Sequence, residues 1–94
     1  MKGHLYQFTI EHVEDKKGNL VASEALSFTT RNHDDVFKIV AAMQGKMDLD
    51  RSDATALAVG LKLFGEVMLK HPKQPLFKEL RPQFAVFMKG LKSL

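Results

Sequence analysis

Between Ser52 and Lys70 the chain carries no proline and an apolar pattern that wraps most of a helix. At about 100° per residue, Ala54, Leu57, Ala58, Leu61, Phe64, Gly65 and Met68 fall on one face, and Ala56, Leu63 and Val67 extend it round a second side. Thr55, Lys62, Glu66 and Lys70 leave only a narrow polar stripe. A helix with that much apolar circumference has to be covered on more than one side. It cannot be a lone surface helix, and the rest of the chain must supply the cover, from this copy or from a second one. Gly60 and Gly65 sharpen the point, since glycine inside a helix costs about 1 kcal/mol relative to alanine. Close approach of a neighbouring element is one compensation.

The flanking segments have other periods. His4, Tyr6, Phe8, Ile10 and His12 alternate with Leu5, Gln7, Thr9, Glu11 and Val13, a half-buried strand by its period of two. Glu14-Asp15-Lys16-Lys17-Gly18-Asn19 reads as a hairpin loop. The chain returns through Leu20, Ala22, Leu26 and Phe28 on one parity and Val21, Ser23, Ala25, Ser27 and Thr29 on the other. Glu24 falls on the apolar parity, which points to a bulge or an exposed strand start. Asn32 is an expected N-cap, with Asp34 and Asp35 in the first turn of a helix that runs to Gly45. Asp50 or Ser52 caps the second helix. Pro75 suits the first position of a third helix, and Pro82, seven residues on, predicts a break in it.

The expected fold is α+β: an N-terminal β-hairpin at about 3–30 packed against three or four helices, in a single compact domain over 1–94. The helices are expected at about 33–44, 52–70 and 75–92, the last with its break near Pro82. The expected core is Tyr6, Phe8, Ile10, Leu26 and Phe28 from the hairpin, with Val36, Phe37, Val40, Leu57, Leu61, Phe64, Met68, Leu80, Phe84 and Phe87 from the helices.

Of the 94 residues, 45% are hydrophobic and 27% charged, the balance of an ordinary globular domain. There is no cysteine, which favours a reducing compartment and removes thiolate chemistry. No apolar run after Lys2 reaches signal-peptide length, and none approaches the roughly 18 residues of a membrane span. Cytoplasm is the expected location. Residues 61–94 carry seven Lys or Arg against Glu66 and Glu79, so the whole excess of the +3 net charge lies there. Such asymmetry raises the case for an acidic partner or a nucleic acid there, but solvated helix faces remain the leading explanation of it.

No His-Glu-x-x-His, phosphate loop, nucleophile elbow or dinucleotide turn is present. His4 and His12 share a strand parity but lie eight residues apart, about 27 Å along an extended strand. His33, Asp34 and Asp35 are adjacent in sequence and point different ways at a helix start, where capping explains them. Glu66 sits between Lys62 and Lys70 at helical spacing, as an i,i+4 pair would. No catalytic residue, cofactor or metal ligand is expected. A helix-turn-helix reading of the first two helices fails, because Asp48, Asp50 and Asp53 would meet phosphates at the start of a largely apolar second helix.

The segments Met1-Lys2-Gly3-His4, Asn32-His33-Asp34-Asp35 and Gly60-Leu61-Lys62-Leu63-Phe64-Gly65-Glu66-Val67-Met68-Leu69-Lys70-His71 occur with Pro75-Leu76-Phe77 and Leu80-Arg81-Pro82. Together they resemble a family of small bacterial proteins, domain of unknown function 3861, over essentially the whole chain. The resemblance implies a cytosolic bacterial α+β protein and assigns no activity or site residue.

The expected function is that of a non-enzymatic protein-interaction or regulatory module. Open hairpin edges and the over-apolar second helix point to a homodimer, and an unidentified protein partner is expected beside it. The alternative is a nucleic-acid-associated protein using Lys70, His71, Lys73, Lys78, Arg81, Lys89 and Lys92. A small-ligand site among the methionines and aromatics ranks third, and no membrane partner is expected.

Overall fold

In the computed structural model, which describes residues 2–22 and 24–94, the order is β1 (His4–Glu11), β2 (Ala25–Asn32), α1 (Val36–Met43), α2 (Arg51–Lys70) and α3 (Pro75–Lys92). A 3-10 turn at Lys46–Asp48 lies between α1 and α2. The fold is α+β, an antiparallel two-stranded hairpin followed by three helices. Chain contacts divide it into two units, one ending at His33 and the other spanning Asp34–Leu94. Met1 and Ser23, which the sequence reading puts at the head of the family motif and on the return strand, lie outside the described residues.

β1 and β2 pair in the register that the two parities require, with Phe8 opposite Phe28 and Ile10 opposite Leu26. The Phe8 and Phe28 rings stack at 5.4 Å, a cross-strand aromatic pair of the kind that contributes up to about 1 kcal/mol. On the other face Thr9 Oγ1 and Ser27 Oγ are 3.1 Å apart. The strands are shorter than the alternating pattern, and a bridge between Glu14 and Leu20 closes the loop end. Glu24 lies exposed just before β2. Ile10 and Leu26, expected in the core, are more than half exposed, while Tyr6 and Phe8 are half-buried.

The loop is organised by Asp15. Its Oδ1 accepts the backbone N–H groups of Lys17 and Asn19, both at 2.9 Å, and Gly18 takes φ +86° in the same turn. The Asn19 and Lys17 amides hold the Asp15 carboxyl below the usual carboxylate range. A carboxylate stabilised when folded contributes above its unfolded value of about 3.9, and the contribution is lost as pH falls through the lower folded value. Acid titration followed by NMR is therefore expected to move the Lys17 and Asn19 amide shifts together, with a midpoint below that of an unstructured aspartate. A midpoint at the ordinary value would contradict the Asp15-centred turn.

β2 runs two residues past Thr30, because Asn32 pairs with His4. The helix cap moves accordingly. Asn32 is a buried strand residue, and Asp35 is the N-cap of α1, accepting from the amides of Phe37 (3.0 Å) and Lys38 (3.3 Å). Asp34 is drawn away to the Lys62 ammonium on α2, 2.7 Å from its Oδ2. α1 stops as expected, with Gly45 left-handed at φ +82°. Asp50 caps α2 through the amide of Asp53 at 2.8 Å.

The helical unit closes around four buried side chains, Met43, Ala54, Ala58 and Leu91, with Ile39, Val40, Leu49, Leu57 and Leu61 packed against them. Ala54 and Ala58 are fully buried. Their small side chains let α1 approach α2 closely, while Leu91 reaches in from the end of α3. The compensation expected at the helix glycines holds for one of them: Gly65 lies under the Phe84 ring, which a Cβ would meet at 3.7 Å, whereas Gly60 faces open space.

Three helical expectations are corrected. α3 continues through Pro82, which sits on an exposed side, where the Lys78 carbonyl it leaves without a helical donor can face water. Phe37 is 77% exposed, because Val36, Ile39, Val40 and Met43 form the inward side of the eight-residue α1. Phe64, Leu80 and Phe87 are 40–45% exposed and belong to a surface that the helical unit leaves open.

Candidate interaction surface

α2 is covered on two sides and open on a third. Ala54, Ala58 and Met68 mark its buried side. At about 100° per residue, Ala56, Gly60, Phe64 and Val67 lie within about 80° of one another on the opposite side, and all four are exposed. α3 packs antiparallel along α2. Leu91 reaches Ala54 and Ala58, while Phe64 meets Phe84 and Phe77 edge-on, with centroids at 5.7 and 6.2 Å. That packing turns Phe77, Phe84, Met88 and Leu91 inward and leaves a flank of Leu76, Leu80 and Phe87 outward.

The two exposed flanks meet in a groove. One stretch is lined by Phe64, Leu76, Phe77, Leu80 and Gln83, with Glu79 at its edge. It runs into an open hollow of about 860 Å³ at the α2–α3 connection, floored by Val67, Pro72, Leu76 and Phe77. Lys70, His71 and Lys73 line that hollow. An apolar floor with cations at its rim suits a protein surface that is apolar at its centre and acidic at one edge.

The seven residues singled out by charge thus separate into two groups. Lys70, His71 and Lys73 gather round the hollow. Lys78, Arg81, Lys89 and Lys92 are exposed along α3, within about 80° of one another on a side away from the groove. Arg81 Nη2 donates to the Pro72 carbonyl at 3.1 Å, so this side chain braces the connection. Lys46 likewise ties the 3-10 turn to α3 through the Leu91 carbonyl at 3.3 Å. The groove's apolar members were the part that charge counting could not find. Their signal is the spacing of Leu76, Leu80, Gln83 and Phe87.

Elsewhere, the strand register brings His4 and His33 to one cleft with Lys2 and Gly3. His12 lies beyond the end of β1. Among the described residues no three His, Asp or Glu side chains form a group able to hold a metal ion. Among the same residues no helix is long and apolar enough to cross a membrane.

Comparison with known proteins gives a family without an activity. No curated protein matches the chain. A crystal structure of a protein of unknown function from Pectobacterium atrosepticum is similar, with 42% identity, a TM-score of 0.85 and coverage of 98% of this chain and 99% of that one. The family model described as a domain of unknown function with a solved structure, number 3861, matches residues 4–93. The chain belongs to the domain of unknown function 3861 family.

Proposed function

We propose that the protein is a small non-catalytic protein-interaction or regulatory module of the bacterial cytoplasm, and that the α2–α3 groove is its docking surface. The observation that carries this reading is the continuity of exposed Phe64, Val67, Leu76 and Leu80 across two helices. Monomeric proteins rarely leave a contiguous apolar patch beyond a few hundred Å² in water unless something binds there. Asp34, a part-buried carboxylate of the helical unit, is engaged by Lys62, and Asp35 caps α1. The absence of cysteine and the bacterial source of the similar crystal structure support the compartment.

The nucleic-acid alternative has one observation in its favour, the alignment of Lys78, Lys89 and Lys92 on one side of α3. The test captures proteins on immobilised wild type and on Leu80→Glu, and titrates both with labelled DNA and RNA at low salt. The expected result is a protein held by wild type and lost by Leu80→Glu, with no salt-dependent nucleic-acid binding. Equal capture by both forms would overturn the reading. Binding that weakens linearly in log salt, unaffected by Leu80→Glu, would favour the alternative.

A further inference from the structure

The outward flank of α3 has a regular spacing. Leu76, Leu80, Gln83, Phe87 and Gly90 follow one another at intervals of four, three, four and three residues, the 3.5-residue period of a helix seam that faces another helix. Leu76, Leu80 and Phe87 are 72%, 40% and 45% exposed, so the helices of the same chain leave this seam open. Alongside it lies the open side of α2, with Gly60 facing empty space near the middle of that helix. Gln83, near the middle of α3, lines the groove beside Phe64, about one turn along α2 from Gly60.

We propose that the occupant of the α2–α3 groove is a second copy of this chain. The two α2–α3 pairs pack face to face across a two-fold axis near Gly60 and Gln83, giving a four-helix arrangement. This names the partner of the docking surface proposed above and rests on that reading.

Charge selects the second copy over an unrelated acidic segment. Asp50 and Asp53 stand at one end of α2, and Lys70, His71 and Lys73 at the other. All five are exposed. A two-fold rotation about the middle of the face reverses one copy against the other. It sets the Asp50 and Asp53 end of each over the Lys70 and Lys73 end of its mate. A surface that is acidic at one end and basic at the other is complementary to itself, as an isologous interface must be. Gly60, without a side chain, lets the two α2 helices approach at the axis. Gln83 is a polar group able to pair with its own symmetry mate and to fix register, as single polar residues do in helix seams.

The area is of the right order. Phe64, Val67, Leu76, Leu80 and Phe87 together expose on the order of 500 Å², taking about 150–250 Å² for a large apolar side chain. A standard interface takes about 800 Å² from each partner. Gln83 and the charged groups at both ends make up the difference as a polar rim.

Sedimentation of the full chain across the micromolar range tests this. Wild type is expected at twice the 10.6 kDa chain mass. Leu80→Glu should raise the dissociation constant about 30-fold or more, as loss of a central apolar anchor does, while circular dichroism keeps its helical signal. Asp53→Lys alone should weaken the dimer, and Asp53→Lys with Lys70→Asp should restore it. A merely structural role for either residue would not give that rescue. Wild type at 10.6 kDa throughout, or a dimer indifferent to both Leu80→Glu and the charge reversals, would overturn the inference. If wild type is monomeric while capture of another protein still depends on Leu80, the second copy is rejected and the docking surface stands. If capture also ignores Leu80, both readings fall.

Discussion

Leu91→Ala is expected to lower the stability of the helical unit by about 2–4 kcal/mol, within the usual range for truncating a buried leucine. Leu91 is the α3 residue that reaches the Met43, Ala54 and Ala58 cluster. Of the cluster it joins, Ala54 and Ala58 have no side-chain freedom with which to fill the space left behind, and Met43 alone can shift to fill part of it. A domain of this length has about 5–14 kcal/mol in total, so the loss is a large share. Phe37→Ala removes a larger side chain and should cost no more than about 0.5 kcal/mol, because most of that ring is already in water. Urea unfolding at one fixed protomer concentration compares the two, since self-association would otherwise contribute to apparent stability. The reverse order would mean that α1 is rotated and the cluster wrongly placed.

Gly3→Ala should be the most damaging small change in the hairpin. Gly3 sits at φ +78°, where an L-residue costs about 1–2 kcal/mol. A Cβ there would fall 2.7 Å from the carbonyl oxygen of Asn32, a buried backbone atom that cannot turn aside. The same carbonyl belongs to the residue that pairs with His4, so any shift is carried into the end of the sheet. Gly18→Ala is the control. It has a similar φ of +86° and open space round the Cβ position, and should cost only the conformational part. Hydrogen exchange of the β1 and β2 amides reads the difference. Equal protection in the two variants would contradict the close approach at Gly3.

Which elements form was largely legible in the sequence, because each follows from a local period or a single capping residue. The strand parities put Phe8 and Phe28 among the apolar residues of two paired strands, and Gly45 and Pro75 marked real helix ends. The errors arose where two local rules competed. Asn32, Asp34 and Asp35 are all capable caps, and the choice is made by the pairing of Asn32 with His4 and by Lys62 attracting Asp34. Pro82 could either end a helix or curve it, and its exposure on α3 decides for continuity. Phe37 lies on an eight-residue helix with too many apolar residues for the pattern to say which side turns inward.

The candidate surface was legible only in part. The excess of apolar residues on α2 signalled that more than one neighbour is needed, and α1 and α3 account for two sides. The remaining side, with Phe64 and Val67, looks the same in sequence as a buried face. Binary pattern distinguishes apolar from polar positions and carries no record of whether the covering atoms come from the same chain. The basic residues were visible individually, yet their division between the hollow and the far side of α3 depends on the α2–α3 connection.

A single cysteine on the open side of α2 tests most directly whether a second chain covers it in solution. The sequence has no cysteine, so a single Gly60→Cys reports without background. Under mild oxidation at micromolar concentration, Gly60→Cys is expected to form a disulfide-linked dimer much faster than Leu69→Cys, another exposed α2 position on the opposite side of the helix. Equal slow rates at the two positions would contradict a second chain there.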